Sequence, residues 1–261
     1  MQIWVSAEFL RFHGYWDSRS GRLAKKEVSR PLVLLNHAEE IVQHSESQAY
    51  LADAIININR AVDLRLAQIE KIYSIRKMTH LSPLKEWDRL EKLGIIRKTF
   101  ISELNRIRNH IEHRDAKPPG KKAVLTYIDF CWYFIKSTNS ICASSIDAII
   151  FENYLDQASV YLQPVIGKTW RFELSGNLPE KSVAYVETEG FIRLARAKIE
   201  KGFDKEAKRL AVLEKAKENN QSVVFLGHDE PYNTNHLYWR GVPELSQTQT
   251  VDVLRRYFEI D

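Results

Sequence analysis

Leu51-Ala52-Asp53-Ala54-Ile55-Ile56-Asn57-Ile58-Asn59-Arg60-Ala61-Val62-Asp63-Leu64-Arg65-Leu66 sets the architecture to expect. Leu51, Ile55, Ile58, Val62, Leu66, Ile69 and Tyr73 step by four and three, the spacing that lines one side of an α-helix. Asn57, Arg60, Asp63 and Arg65 fall on the polar flank. A helix over 45–76 follows, and an apolar side of that length needs other helices to cover it.

Those helices are expected on both sides of it. Residues 32–44 read as a shorter one. Ser82-Pro83 opens another, with Ser82 as cap and Pro83 in the first turn, and Gly94 ends or bends it. Phe100, Leu104, Ile107 and Ile111 form the stripe of a helix over 97–114, which Pro118-Pro119-Gly120 cannot continue. Val124, Ile128, Cys131, Ile135, Thr138 and Cys142 keep helical spacing, predicting a long helix over 121–155. Elsewhere the period is two. Ile3, Val5, Ala7 and Phe9 alternate within 2–16, as do Trp170, Phe172 and Leu174, which with Val183–Val186 predict a hairpin around Gly176-Asn177. Residues 190–219 are charged and read as helical, broken at Gly202. Residues 221–226 and 236–240 read as strands, and 248–258 as a final helix or strand. The expected fold class is mainly α. An up-and-down helical bundle spans 31–160, a strand-and-turn segment over 1–30 can pair with the C-terminal sheet, and a small α+β module is appended over 161–261.

Composition narrows the function classes. The chain has 261 residues, 44% of them hydrophobic and 28% charged, with a net charge of +4. That balance fits a globular protein with a substantial core, and it permits nucleic-acid binding without demanding it. Cys131 and Cys142 sit in an apolar stretch and read as buried reduced thiols. No apolar run is long enough to cross a membrane, and the first dozen residues carry Glu8 and Arg11, unlike a signal peptide. A cytoplasmic protein is expected.

Chemistry concentrates in Arg108-Asn109-His110-Ile111-Glu112-His113, near the end of the 97–114 helix. At about 100° per residue, Asn109 points about 180° from the apolar stripe, His113 lies about 40° from Asn109, and Arg108 sits on the flank. A guanidinium, an amide and an imidazole so placed suit charge stabilisation, orientation and proton transfer at a phosphodiester. One copy is thin for catalysis. A twofold dimer would bring two copies into one cleft. RNA carries its own nucleophile in the 2′-hydroxyl, so such a site needs no metal.

With the long helix before it and the break after it, this R-N-x-x-x-H stretch resembles the signature of the HEPN superfamily of prokaryotic toxins, defence ribonucleases and related proteins. The resemblance covers residues 32–158. It implies a HEPN-like bundle acting as a homodimeric, metal-independent endoribonuclease that leaves a 2′,3′-cyclic phosphate and a 5′-hydroxyl, either a toxin or an antiviral effector. Arg108 and His113 would be the catalytic pair, with Asn109 orienting the His or the phosphate. An antitoxin or inhibitor protein would be a partner, and no cofactor is implied. Some members carry a Tyr two residues after the His that a partner nucleotidyltransferase modifies. This chain has Asp115 there. Other members are inactive and serve as binding modules for a protein, nucleotide or RNA.

Further RNA contacts are expected from His110, Arg60, Arg65 and Arg114, with Arg76 and Lys77 extending a basic groove. His110-x-x-His113 with Glu112 lacks the H-E-x-x-H spacing of a zinc site, and Glu112 reads better as the i, i+4 partner of Arg108. Gly227-His228-Asp229-Glu230 reads as a polar turn. Lys198, Lys201, Lys205 and Lys208, interleaved with Glu200 and Glu206, read as a solvated helix face. Trp4, Trp16, Trp132 and Trp170 read as packing residues rather than base platforms.

Overall fold

The structure is a computed structural model. It describes all residues except 1, 21, 45–46, 79–80, 82–83, 115–116, 219–231 and 259–261, and no side chain at 19, 20, 86, 100, 112–114, 216 or 217. The strand expected at 221–226 and the Gly227–Glu230 turn therefore lie outside the described residues, as does the Ser82-Pro83 helix start. No described helix is long and apolar enough to cross a membrane.

Two compact units divide the chain: Met1–Asp17 with Asp147–Ser246, and Ser18–Ile146 with Gln247–Asp261. The second unit is helical. It holds α1 (Lys25–His44), α2 (Gln48–Tyr73), α3 (Glu86–Lys92), α4 (Lys98–Arg114), α5 (Lys121–Ser137), α6 (Asn139–Ala143) and α8 (Gln247–Phe258). α2 is its axis, packing against α1, α4 and α5. Leu51, Ile55, Ile58, Val62, Ile69 and Tyr73 are buried, as the stripe requires. α8 closes the unit from far along the chain. The rings of Tyr257 and Phe258 meet Tyr73 edge-on at 6.0 and 5.1 Å, and the Tyr73 hydroxyl donates to Ile141 O at 2.7 Å.

One buried polar contact of α2 has a backbone cause. Pro31 lies inside α1 and lacks the N–H that would bond the Glu27 carbonyl one turn back. Gln68 Nε2 donates to that carbonyl at 2.6 Å, and Arg65 Nη2 donates to Val28 O at 3.3 Å. Lys71 adds an ion pair to Glu27 at 2.7 Å. Arg65 is 0% exposed, so its expected place in a basic RNA groove is corrected: its side chain is turned into the helical unit, where Nη2 meets Val28 O and, at 3.5 Å, Asn139 Oδ1. Cys131 and Cys142 are free and buried, and burial pushes both thiols up in pKa, with Arg65 opposing at Cys142.

The first unit carries most of an eight-stranded sheet in the order β2-β3-β4-β5-β8-β7-β1-β6. The strands are β1 (Ile3–Ser6), β2 (His13–Ser20), β3 (Ser144–Asn153), β4 (Ala158–Ile166), β5 (Trp170–Pro179), β6 (Val183–Ala184), β7 (Phe191–Lys201) and β8 (His236–Pro243). This overturns the mainly α expectation: the chain is a mixed α+β fold in which the sheet is a principal component. The expected 121–155 helix is broken at Thr138 into α5 and the short α6, and gives way to β3 at Ser144. Burial there is nearly continuous from Ala148 to Phe151, a pattern that periodicity alone cannot assign to helix or strand. The 170–186 hairpin does not form. β5 pairs with β4 and β8, and β6 pairs with β1, which has joined the sheet between β6 and β7.

Residues 191–201, expected as helix, are β7. Their apolar alternation is broken by a register shift between Ala195 and Lys198, where Arg196 takes a left-handed φ of 54°. This bulge displaces the period-two pattern and makes it look helical. α7 (Gly202–Glu218) follows at once. A Cβ on Gly202 would lie 1.9 Å from Asn233 O, so only glycine fits the strand-to-helix corner.

His236 is buried in this unit, with Nδ1 2.9 Å from the Asn177 amide nitrogen. Asn177 Oδ1 accepts from Ser159 N and Oγ, so its nitrogen donates and His236 Nδ1 accepts. Burial lowers the His236 pKa below its ordinary 6.5, with Asp156 pulling the other way. The unfolded chain thus protonates first. Stability is full above about pH 6.5 and falls as pH drops towards the folded pKa, by at most about 1.4 kcal/mol per pH unit for one proton. Urea midpoints between pH 7.5 and 5.5 check this: the acid-side decline is expected to flatten in His236→Asn.

Candidate active site

α4 begins where Gly94, at φ 76°, turns the chain out of α3. Its buried residues are Ile101, Leu104 and Ile107, with Ile111 half-buried. Ile101 therefore belongs to the stripe. Adding it to Phe100, Leu104, Ile107 and Ile111 turns the core direction about 15° towards Arg108, at about 100° per residue. Arg108 lies nearer the packed side than expected, while Asn109 is exposed.

That rotation aims Arg108 at α2. Nη1 of Arg108 lies 3.4 Å from Asp63 Oδ2, with side-chain exposures of 32% and 51%. Partial burial raises the Asp63 carboxyl above the usual carboxylate range, and the Arg108 charge opposes that rise. Asp63 is thus a partner of Arg108, while the expected pairing with Glu112 falls on a side chain outside the described residues. The position of Asp63 on the polar flank of the 45–76 helix was visible, but the pairing needs the α2–α4 crossing, which no single-helix pattern contains. Arg60 is exposed one turn before Asp63 on α2.

His110 is half-buried on the other flank of Asn109. Its charge lowers the Glu103 pKa in the same direction as the stronger Arg106 contact. Arg106 grips Glu103 with two bonds, of 2.8 and 2.6 Å. α4 runs through Arg114, so His113 is on the same helix as Arg108. The side chains of Glu112, His113 and Arg114 lie outside the described residues. The structure brings together Arg108, Asp63 and, a turn away, Arg60; it separates Arg65 from them by burying it.

Among the described residues, no group of three or more His, Cys, Asp or Glu side chains could hold a metal ion. Of the tryptophans, Trp170 is buried, Trp4 and Trp16 are half-buried, and Trp132 is exposed with Lys136 5.3 Å from its ring centre. No family model matches the chain, and neither does any curated protein or solved structure.

Proposed function

We propose that the chain is a metal-independent endoribonuclease of HEPN type, a cytoplasmic toxin or antiviral effector whose active site is completed by a second copy. The observation that carries this reading is the presentation of Arg108 and Asn109 on α4, the helix that also holds His113: Ile101, Leu104 and Ile107 anchor the helix, Asn109 is exposed and Arg108 is half-buried at its flank. In the dimer cleft, His113 would take the 2′-hydroxyl proton. Arg108 would stabilise charge on the phosphate, and Asn109 would orient either group. Phe130, Trp132 and Tyr133 on α5 are 54%, 41% and 66% exposed, an aromatic surface that suits a second copy or an inhibitor protein.

The test is RNA cleavage by purified protein with EDTA present, with product ends identified by mass and the molar mass of the active species measured by light scattering. Cleavage by a dimer giving 2′,3′-cyclic phosphate is the expected outcome. Monomeric protein, or activity abolished by EDTA, overturns the proposal.

The Arg108–Asp63 pair favours a second reading, an inactive HEPN-like binding module in which Arg108 ties α4 to α2. Asp63→Asn separates the two. If Arg108 works on phosphate, removing its competitor tightens RNA binding roughly two- to fivefold, the worth of a partly exposed ion pair. If Arg108 only ties helices, RNA affinity stays put and the melting temperature alone moves.

A further inference from the structure

β4, β5, β8 and β7 lie side by side, and their registers place polar residues in rows across one sheet face. Ser159, Asn177, Tyr238 and Glu200 are successive cross-strand partners. One pleat along, so are Tyr161, Ser175, Arg240 and Lys198. Residues of the opposite face, including Val160, Leu162, Leu174 and Trp239, are buried and form the core. An antiparallel sheet commonly has one solvated face. Here that face floors a groove of about 1140 Å³, with Asp204, Lys205, Ala207 and Lys208 of α7 along one wall.

Charge in the groove is lopsided. Among the described residues, five cations line it against the two acids Glu200 and Asp204. Lys208 pairs with Glu200 and Arg240 with Glu173, so those charges are largely spent. Lys205 lies 4.5 Å from the Tyr238 ring centre and 4.7 Å from that of Tyr232. Lys198 and Lys201 are exposed and have no acidic partner among the described residues. Two tyrosines, the half-buried Tyr161 and the 56% exposed Tyr185, also line the groove.

From this we infer that the groove binds single-stranded nucleic acid, with phosphates on Lys198 and Lys201 and bases against Tyr161 and Tyr185. Unspent lysines attract a polyanion, and tyrosine faces accept any base without sequence preference. The volume lies above the roughly 300–1,000 Å³ of small-molecule sites, which leaves room for more than one nucleotide. An acidic peptide would use the lysines but gain little from the tyrosine faces. The bulge at Arg196 sets this up, because the register on its C-terminal side places Lys198 opposite Arg240. That the strand is RNA rather than DNA rests on the ribonuclease reading; the surface itself does not.

The test is fluorescence anisotropy of labelled eight-nucleotide uridine and thymidine strands with the full chain, in EDTA and in a His113→Ala background so that nothing is cut. Lys198→Ala/Lys201→Ala is expected to weaken binding at least tenfold. It should also lower the salt slope by about 1.4, the loss of two single-strand phosphate contacts. Tyr161→Ala should weaken binding several-fold, and Tyr161→Phe should not. Tighter binding of uridine than thymidine strands assigns the site to RNA, and equal binding assigns it to single strands of either kind. The inference is overturned if the lysine variant, folded by circular dichroism, binds as the parent does, if no strand binds at low salt, or if poly-glutamate binds while nucleic acid does not. Binding without cleavage by the wild-type chain keeps the groove and removes the ribonuclease reading. Cleavage with no effect of the lysine variant does the reverse.

Discussion

Arg108→Ala and His113→Ala are each expected to cut the RNA-cleavage rate by roughly two to four orders of magnitude, the usual worth of a positioned general base or its charge-stabilising partner. Two features of α4 underlie the size of the effect. The apolar side of the helix is buried independently of Arg108, so truncating that side chain leaves the helix in place. The Arg108–Asp63 pair is partly exposed and worth at most about 1 kcal/mol, so the fold survives its loss. A rate loss with an unchanged melting curve therefore reports chemistry. Arg108→Lys should rescue poorly, because an ammonium cannot make the planar two-point contact of a guanidinium with phosphate. Asn109→Ala should cost less, since orientation is shared with the partner copy. Denaturing gels of a labelled RNA, read beside circular dichroism, decide it. Either alanine variant cutting at the parent's rate would remove the ribonuclease reading.

Arg65→Ala should instead destabilise the fold, by about 3 kcal/mol, while leaving cleavage by the folded fraction untouched. The side chain is fully buried, so truncation opens space in the helical unit and removes the donor on Val28 O. Arg65→Met fills the space without a charge and is expected to recover at least half of that loss. Gln68 tests the same mechanism at Pro31. Gln68→Ala should cost about 1–2 kcal/mol in the parent. It should cost less in a Pro31→Ala background, where residue 31 regains an N–H for the Glu27 carbonyl. A double-mutant cycle by urea unfolding measures the coupling, about 0.5 kcal/mol or more. Additive losses would mean that the proline is not the reason for the Gln68 contact.

These two positions show what the sequence could and could not carry. Arg60 and Arg65 look alike in sequence, both basic and both flanking the apolar stripe of α2. One is exposed and the other buried, and the difference lies in where α1 and α6 pack on α2, which the spacing within α2 does not contain. The helix under Arg108 was legible because helical spacing is local. Asp63 as the partner of Arg108 was not, because it depends on a helix crossing. β3 escaped because continuous burial erases the period that separates strand from helix. β7 escaped because one bulged residue, Arg196, shifts the alternation by a step. The lysines read as a helix face are in fact split between β7 and α7, and only that split gathers them along one groove.

The helical unit is discontinuous: Asp147–Ser246 is threaded between Ser18–Ile146 and the stretch that carries α8. Tyr257 and Phe258 of α8 are 1% exposed, so the core around Tyr73 lacks two large rings until α8 has been synthesised. At roughly 5–20 residues per second, the intervening hundred residues occupy the ribosome for about 5–20 s. Throughout that interval α4 belongs to an unfinished core. A nascent chain therefore carries its R-N-x-x-x-H helix past the ribosome's own RNA before the scaffold that holds it is complete.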